Sequence, residues 1–353
     1  MSYQRMIEAI HINNYGAIAH NETLEHPAYI EKITGIDPFF NPQEAILSAV
    51  RKLELDWVYS VPKHANKFEQ GEGKKAVRGG HVTEWGFTGS AWSAHDNFDD
   101  FEKVYGYDPF SKYTSEQALR KGIRAGIDNL LGDQRLLNGA AVVSGLYYTL
   151  LFQWFIVVFG WESFLLAAAT EPDRFGACIE RFTRMSCIYA EEYAASELPF
   201  FFCHDDLAIT RGLVFEPAWY RKYIFPAYER ILQPFKRAGK KVVFVSDGNY
   251  SSLVDDLFAV GIDGIMVDWT FDLKELLKKY GKTKVIAGNA DAMILTFGTR
   301  EDVRKEAMRC IDAGRGAGGY VIKCSNDLPQ NIPLENIEEY FNAIAEYNAR
   351  ART

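Results

Sequence analysis

The chain has 353 residues, enough for one large α/β domain or two smaller ones. Hydrophobic residues make up 48% and charged residues 24%, the balance of a globular chain and not of a disordered one. A net charge of -8 without a basic run longer than a pair argues against nucleic acid as a partner, and five scattered cysteines with no C-x-x-C pair fit the reducing cytoplasm better than a disulfide scaffold.

The first residues lack a continuous apolar stretch of the secretory type. Helical patterning covers residues 5–10, and a second helix starts at His26-Pro27 and ends near Gly35. Asn41 before Pro42 predicts an N-cap and first helical position for a helix reaching about residue 53. Residues 55–62 read as the first strand, the charged, Gly-rich stretch 67–80 as a mobile loop, and 84–87 with 91–92 as an inserted hairpin. A helix over 116–131 and a strand over 140–143 follow. Residues 140–160 carry no charge and have about the length of a membrane span. Ser144, Gly145, Thr149 and Gln153 interrupt that stretch, so a buried strand leading into a core helix accounts for it better, and no membrane partner is expected.

After helices within 152–169 and 172–195 the pattern becomes regular. Strands are expected at 199–203, 241–246, 264–267, 284–288 and 320–323. The helices between and after them are expected at 217–238, 250–260, 273–280, 292–297, 300–313 and 334–349, with a kink or break at Pro226. Gly239, Gly261 and Gly281 stand where left-handed helix ends need glycine, and Thr299 with Asp302 forms a capping box. Apolar runs separated by helical spacers describe parallel strands covered by helices, and Asp247, Asp268 and Asn289 recur at one βα spacing. The fold class is therefore α/β, with strand C-termini converging on one face.

Those C-termini are polar. His204-Asp205-Asp206 sets two carboxylates beside an imidazole, a group able to do acid–base work or to hold a divalent metal; alternatively one aspartate caps the next turn. Ser246-Asp247-Gly248-Asn249 lets backbone approach a ligand closely, or is an Asx turn that starts a helix. Gly288-Asn289-Ala290-Asp291 and Ser325-Asn326-Asp327 are weaker, since Asp291 can simply cap the helix at Ala292. Cys324 is a candidate ligand or a buried inert thiol, and His64, His95 and Asp96 sit on loops able to cover the site. Gly314 to Gly319 precedes a strand and so does not form a phosphate loop.

The stretches DDLAITRGLVFEPAWYRKYIFPAYERI, FVSDGN, GIDGIMV, VIAGNAD and GGYVIKCSND, followed by IPLENI, resemble in order and spacing the uroporphyrinogen decarboxylase superfamily, which includes corrinoid-dependent methyltransferases. The resemblance implies a (β/α)8 TIM barrel over residues 55–353, with 1–54 as an N-terminal helical extension. Decarboxylases of that family grip substrate carboxylates with an N-terminal arginine-rich motif, whereas only Arg5 and Arg51 precede Asp56 here. In the methyltransferase branch a zinc ion is held by a His-x-Cys pair and a later cysteine, positions that match Val245, Asp247 and Asn326. The resemblance therefore implies a rearranged, oxygen-rich Zn2+ site drawn from His204, Asp206, Asp247 and Cys324.

Such a site suits a methoxy oxygen better than a thiolate, which implies methyl transfer from a small O-methyl donor to a corrinoid carried by a partner protein. Asp205, Asp206 and Asp247 are the implied catalytic residues. His204, Asn249, Asp268, Asn289, Asn326, Tyr147 and Trp92 are the implied substrate contacts, and Trp85, Phe87 and Trp92 the implied contact for the corrinoid protein. The competing readings are cofactor-independent decarboxylation of a tetrapyrrole, held by Arg211, Lys323, Lys63 or Arg315, and a barrel that binds a small molecule without turnover.

Overall fold

In a computed structural model each of the five apolar runs in the C-terminal half forms a strand: Phe200–His204, Lys241–Val245, Gly264–Met266, Val285–Ala287 and Tyr320–Ile322. The structure describes residues 2–62, 98, 100–145, 150–209, 211–325 and 327–351, together with the backbone of 76–78 and 81–83. The hairpin expected at 84–87 and 91–92, and most of the loop expected at 67–80, lie outside the described residues. Within that loop Ala76–Arg78 and His81–Thr83 pair as antiparallel strands.

The chain divides into two compact units. The first comprises residues 1–93, 132–144 and 265–353. Its sheet runs in the order Ala19–His20, Tyr320–Ile322, Val285–Ala287, Gly264–Met266, with Ala19 opposite Val321 and Ala287 opposite Val321 in parallel register. Trp57–Val58 pairs in parallel with Val142–Val143. The first strand is thus much shorter than 55–62, since its ladder ends once Ser144 N–H has reached the Val58 carbonyl. Helices Arg300–Gly314 and Leu334–Ala351 are joined by ion pairs from Arg300 and Arg304 to Glu339, both 2.8 Å.

The second unit comprises residues 94–131 and 145–264. Phe200–His204 and Lys241–Val245 lie parallel along their whole length, from Lys241 opposite Phe200 to Val245 opposite His204. Gly145 bridges Phe201, and a Cβ there would meet the Phe201 ring at 2.7 Å, so glycine is required for the close approach. Phe152, Phe155, Phe164, Phe175 and Phe182 are fully buried and pack edge-on or tilted at centroid distances of 5.0–5.5 Å. The apolar stretch read as a core helix is Phe152–Thr170; by length and composition it could cross a membrane, but it breaks at Gly160, where φ is 73° and ψ 162°.

Local punctuation follows the side chains. Thr299 and Asp302 form the expected capping box, and Gly239 and Gly261 take positive φ. Gly281 does not: its φ is -61°, and a Cβ would lie 2.6 Å from the Leu277 carbonyl oxygen, so close backbone approach explains the glycine. Asn41 holds the N-cap position before Pro42 without a side-chain capping bond. At Pro226 the expected kink is a π-turn over Tyr220–Ile224, with Phe225 N–H bonded to the Tyr220 carbonyl. Pro226 has no N–H to offer the fourth residue before it, and the wider turn absorbs that gap.

Candidate functional site

A strand alternates its side chains, so His204 and Asp206 leave one face of the chain and Asp205 the other. The two sets have different fates. Asp205 is fully buried. Its Oδ2 accepts N–H bonds from Leu151 at 2.7 Å and Phe152 at 2.8 Å and the Tyr228 hydroxyl at 2.6 Å, while Oδ1 accepts Gln153 N–H at 2.9 Å. These amides open helix Phe152–Thr170, and Leu151 at its N-cap makes no side-chain bond, so Asp205 supplies the cap from a distant strand. Burial pushes its carboxyl up to about 6 against the pull of Tyr228 and the three amides. Asp205, implied as catalytic by the resemblance, has both oxygens committed to holding the helix.

His204 and Asp206 form the reactive-looking pair, with His204 Nε2 2.7 Å from Asp206 Oδ1. Burial would lower the imidazole pKa, but the hydrogen bond and charge of Asp206, followed by the charges of Asp247 and Asp205, outweigh it and leave His204 raised. Burial works upward on Asp206 too, and the His204 hydrogen bond and charge bring it below its ordinary value. Asp247 lies beyond the end of Lys241–Val245, exposed, and donates its backbone N–H to Asp206 Oδ1 at 3.1 Å. One ligand atom from each of His204, Asp206 and Asp247 lies within 4.8 Å of the others, and among the described residues these three form the one group of that kind.

The turn at Asp247 is fixed by contacts on both sides. Gly248 has φ 72°, and a Cβ there would overlap the Ile209 carbonyl oxygen. Ile209 belongs to the small hairpin Ala208–Ile209 and Gly212–Leu213, anchored by Ser246 Oγ, which accepts N–H bonds from Leu207 at 3.0 Å and Ala208 at 3.3 Å. Asn249 Oδ1 accepts Ser251 N–H at 3.0 Å, an Asx turn leading into the short helix Ser251–Leu253.

The remaining candidates fall in the first unit or outside the described residues. Asp268 Oδ1 accepts both the N–H and the hydroxyl of Thr270. Asn289, expected to touch substrate, is fully buried and committed elsewhere: its amide donates to the Asp268 carbonyl at 3.0 Å and the Phe271 carbonyl at 2.9 Å, and its Oδ1 accepts from Arg309 at 3.0 Å. That is a scaffold role. Asp291 caps its helix through Met293 N–H at 2.8 Å. Cys324 is buried in the first unit, its N–H held by Glu22 at 3.0 Å, and it is not one of the three grouped donors. Asn326, Tyr147, Trp92, Trp85, Phe87, His64, His95, Asp96 and Lys63 lie outside the described residues.

Gln153 was not singled out as a site residue, although it stood out in the sequence as a polar residue within the uncharged stretch. It is 1% exposed, and its Oε1 accepts Asp206 N–H at 3.3 Å. Tyr228 had no sequence signal, because an interior tyrosine among 19 looks like core.

The model of the uroporphyrinogen decarboxylase family matches residues 155–347, more than half of the chain. The chain belongs to that family. Uroporphyrinogen decarboxylases from Pelobacter propionicus and Thermosynechococcus vestitus are similar at 25% identity over 165 residues and 28% over 124. That from Bordetella petrii is 32% identical over 109 residues. The matched stretches cover 47%, 35% and 30% of this chain and 47%, 36% and 30% of those relatives, so the chain spans less than half the length of the relatives it matches. A methyltransferase from Methanosarcina mazei has the same fold, with a TM-score of 0.64 over 98% of both chains at 16% identity.

Proposed function

We propose that this member of the family transfers a methyl group from a small O-methyl donor to a corrinoid carried by a separate protein, on a (β/α)8 barrel of residues 55–353 with 1–54 as its extension. The observation that carries the reading is the grouping of His204, Asp206 and Asp247 at the ends of neighbouring parallel strands. One imidazole and two carboxylates suit a borderline or hard divalent cation such as Zn2+, and suit a soft thiolate chemistry poorly. Bound there, the cation would supply Lewis-acid polarisation of the donor oxygen. The chain's own residues prepare that place. Asp206 is kept anionic by the His204 hydrogen bond and charge, and Asp247 is aimed by a turn that only glycine at 248 permits. His204 Nε2 faces Asp206 Oδ1, so the imidazole would have to present an unprotonated nitrogen to hold the cation.

Metal analysis of untagged protein, followed by the absorbance change of a reduced corrinoid incubated with a panel of methoxy compounds, tests the reading. About one bound divalent cation per chain and donor-dependent methylation, both lost in Asp247→Ala, are expected. Protein that takes up no cation and methylates no corrinoid would refute it.

Decarboxylation of a tetrapyrrole is the second reading, favoured by the names of the curated relatives. It calls for clustered cations around the substrate carboxylates. Of its candidates, Arg315 is paired with Asp312 at 2.9 Å before strand Tyr320–Ile322 begins, at the end of that strand remote from its polar tip. Lys323 is buried with its Nζ 3.3 Å from the Cys324 carbonyl, and Arg211 sits on the exposed hairpin turn. Release of CO2 from a tetrapyrrole in chelator-treated protein would select this reading; tight small-molecule binding without either reaction would select a non-catalytic barrel.

A further inference from the structure

We infer that Gln153 is a positioning residue, setting the place of Asp206 for the cation site. The inference rests on the proposed cation reading and adds to it a residue from a different element. A carboxamide in a setting as apolar as Leu151, Phe152, Trp154 and Phe155 costs about 1–3 kcal/mol unless its polar atoms are bonded. The bonds of Gln153 lead to the site. Its backbone N–H goes to Asp205 Oδ1 at 2.9 Å, and its Oε1 accepts Asp206 N–H at 3.3 Å.

One residue therefore grips two consecutive aspartates from opposite sides. Through Asp205 it is tied to the helix start, and through its carboxamide oxygen it holds the backbone N–H of Asp206, whose carboxylate faces His204 and Asp247. Metal ligands whose position is fixed by a second layer of hydrogen bonds bind metal more tightly, and removing such a partner weakens affinity about 10–100-fold. A residue that merely fills space at a helix start would leave affinity alone.

The experiment compares the parent with Gln153→Met, which keeps volume and removes both hydrogen-bonding functions, and with Gln153→Glu, which keeps an acceptor and removes the amide donor. Co2+ titration followed by its visible absorption gives affinity and ligand geometry. Imidazole 15N resonances of metal-free protein, with His204 assigned by comparison with His204→Gln, report the His204–Asp206 bond independently of any ion. The expected results are a Co2+ Kd raised at least about 10-fold in Gln153→Met, a smaller rise in Gln153→Glu, and a moved His204 resonance in both. Folded Gln153→Met with parental Kd and parental His204 resonances overturns the inference. Should Gln153→Met fail to fold, Gln153→Glu decides by the same two readouts. If the parent takes up no Co2+, the cation reading falls and the imidazole resonances alone decide the role of Gln153.

Discussion

Replacing Asp205 with alanine tests whether this carboxylate is a cap or a reagent. The change strips a partner from four buried donors at once: the N–H groups of Leu151, Phe152 and Gln153 and the hydroxyl of Tyr228. An orphaned buried donor costs about 1–3 kcal/mol, so even at the lower limit the four amount to about 4 kcal/mol. Loss of an ordinary exposed N-cap costs about 0.5–2 kcal/mol, and typical total stabilities are about 5–15 kcal/mol, so this substitution should consume a large share of the whole. Guanidinium unfolding followed by far-UV circular dichroism and by tryptophan fluorescence is the assay. The unfolding midpoint of Asp205→Ala should drop sharply, and the far-UV signal of the native baseline should weaken as the start of Phe152–Thr170 frays. A variant within about 1 kcal/mol of the parent would refute the capping role and return Asp205 to the candidates for chemistry.

Three further outcomes follow from the geometry. Gly248→Ala should destabilise by more than Gly35→Ala, since both have φ near 75° but only Gly248 would place its Cβ on another backbone oxygen; equal losses in thermal unfolding would contradict the close contact. The raised His204 and lowered Asp206 give a pair that stabilises fully between the ordinary carboxylate and imidazole values, about pH 4 to 6.5. Its contribution should fade as pH rises through the raised His204 value or falls through the lowered Asp206 value, and a stability profile unchanged by His204→Gln would count against it. Arg5→Met should cost about 3–5 kcal/mol, because Arg5 Nε lies 2.8 Å from the fully buried Asp56. Burial already pushes Asp56 up to about 6, despite the opposing pull of Arg5, so its stabilising share is present at low pH and is lost as pH climbs toward that value. Removing Arg5 should deepen that loss and extend it to higher pH, as chemical denaturation across a pH series would show.

Elements with strong local chemistry were legible in the sequence. Asp272 accepts Glu275 N–H at the start of Leu273–Tyr280 and lysines fill its last turn, so both ends coincide with the expected 273–280. Most strands were recognised but overextended, because an apolar run continues past the last ladder bond and only the partner strand says where pairing stops; Phe200–His204 was instead expected one residue early, at 199–203. The role of Asp205 was not legible, since adjacent aspartates differ only in which face they leave by, and the amides that claim one of them lie more than fifty positions earlier. Gly281 was misread for a related reason: glycine is demanded both by a left-handed turn and by a crowded carbonyl, and the letter is the same. Gly160 gave no signal at all, as one glycine among apolar residues looks tolerable in a helix.

That single dihedral has a bearing on how such chains are sorted. The nineteen apolar-rich residues of Phe152–Thr170 would form a rod of about 28 Å if straight, close to the thickness of a hydrocarbon layer. Folded over at Gly160, they become two pieces of about 12 and 15 Å, and neither reaches across. A hydropathy threshold would count this stretch as one candidate span, and one φ angle of 73° divides that count into two shorter helical pieces.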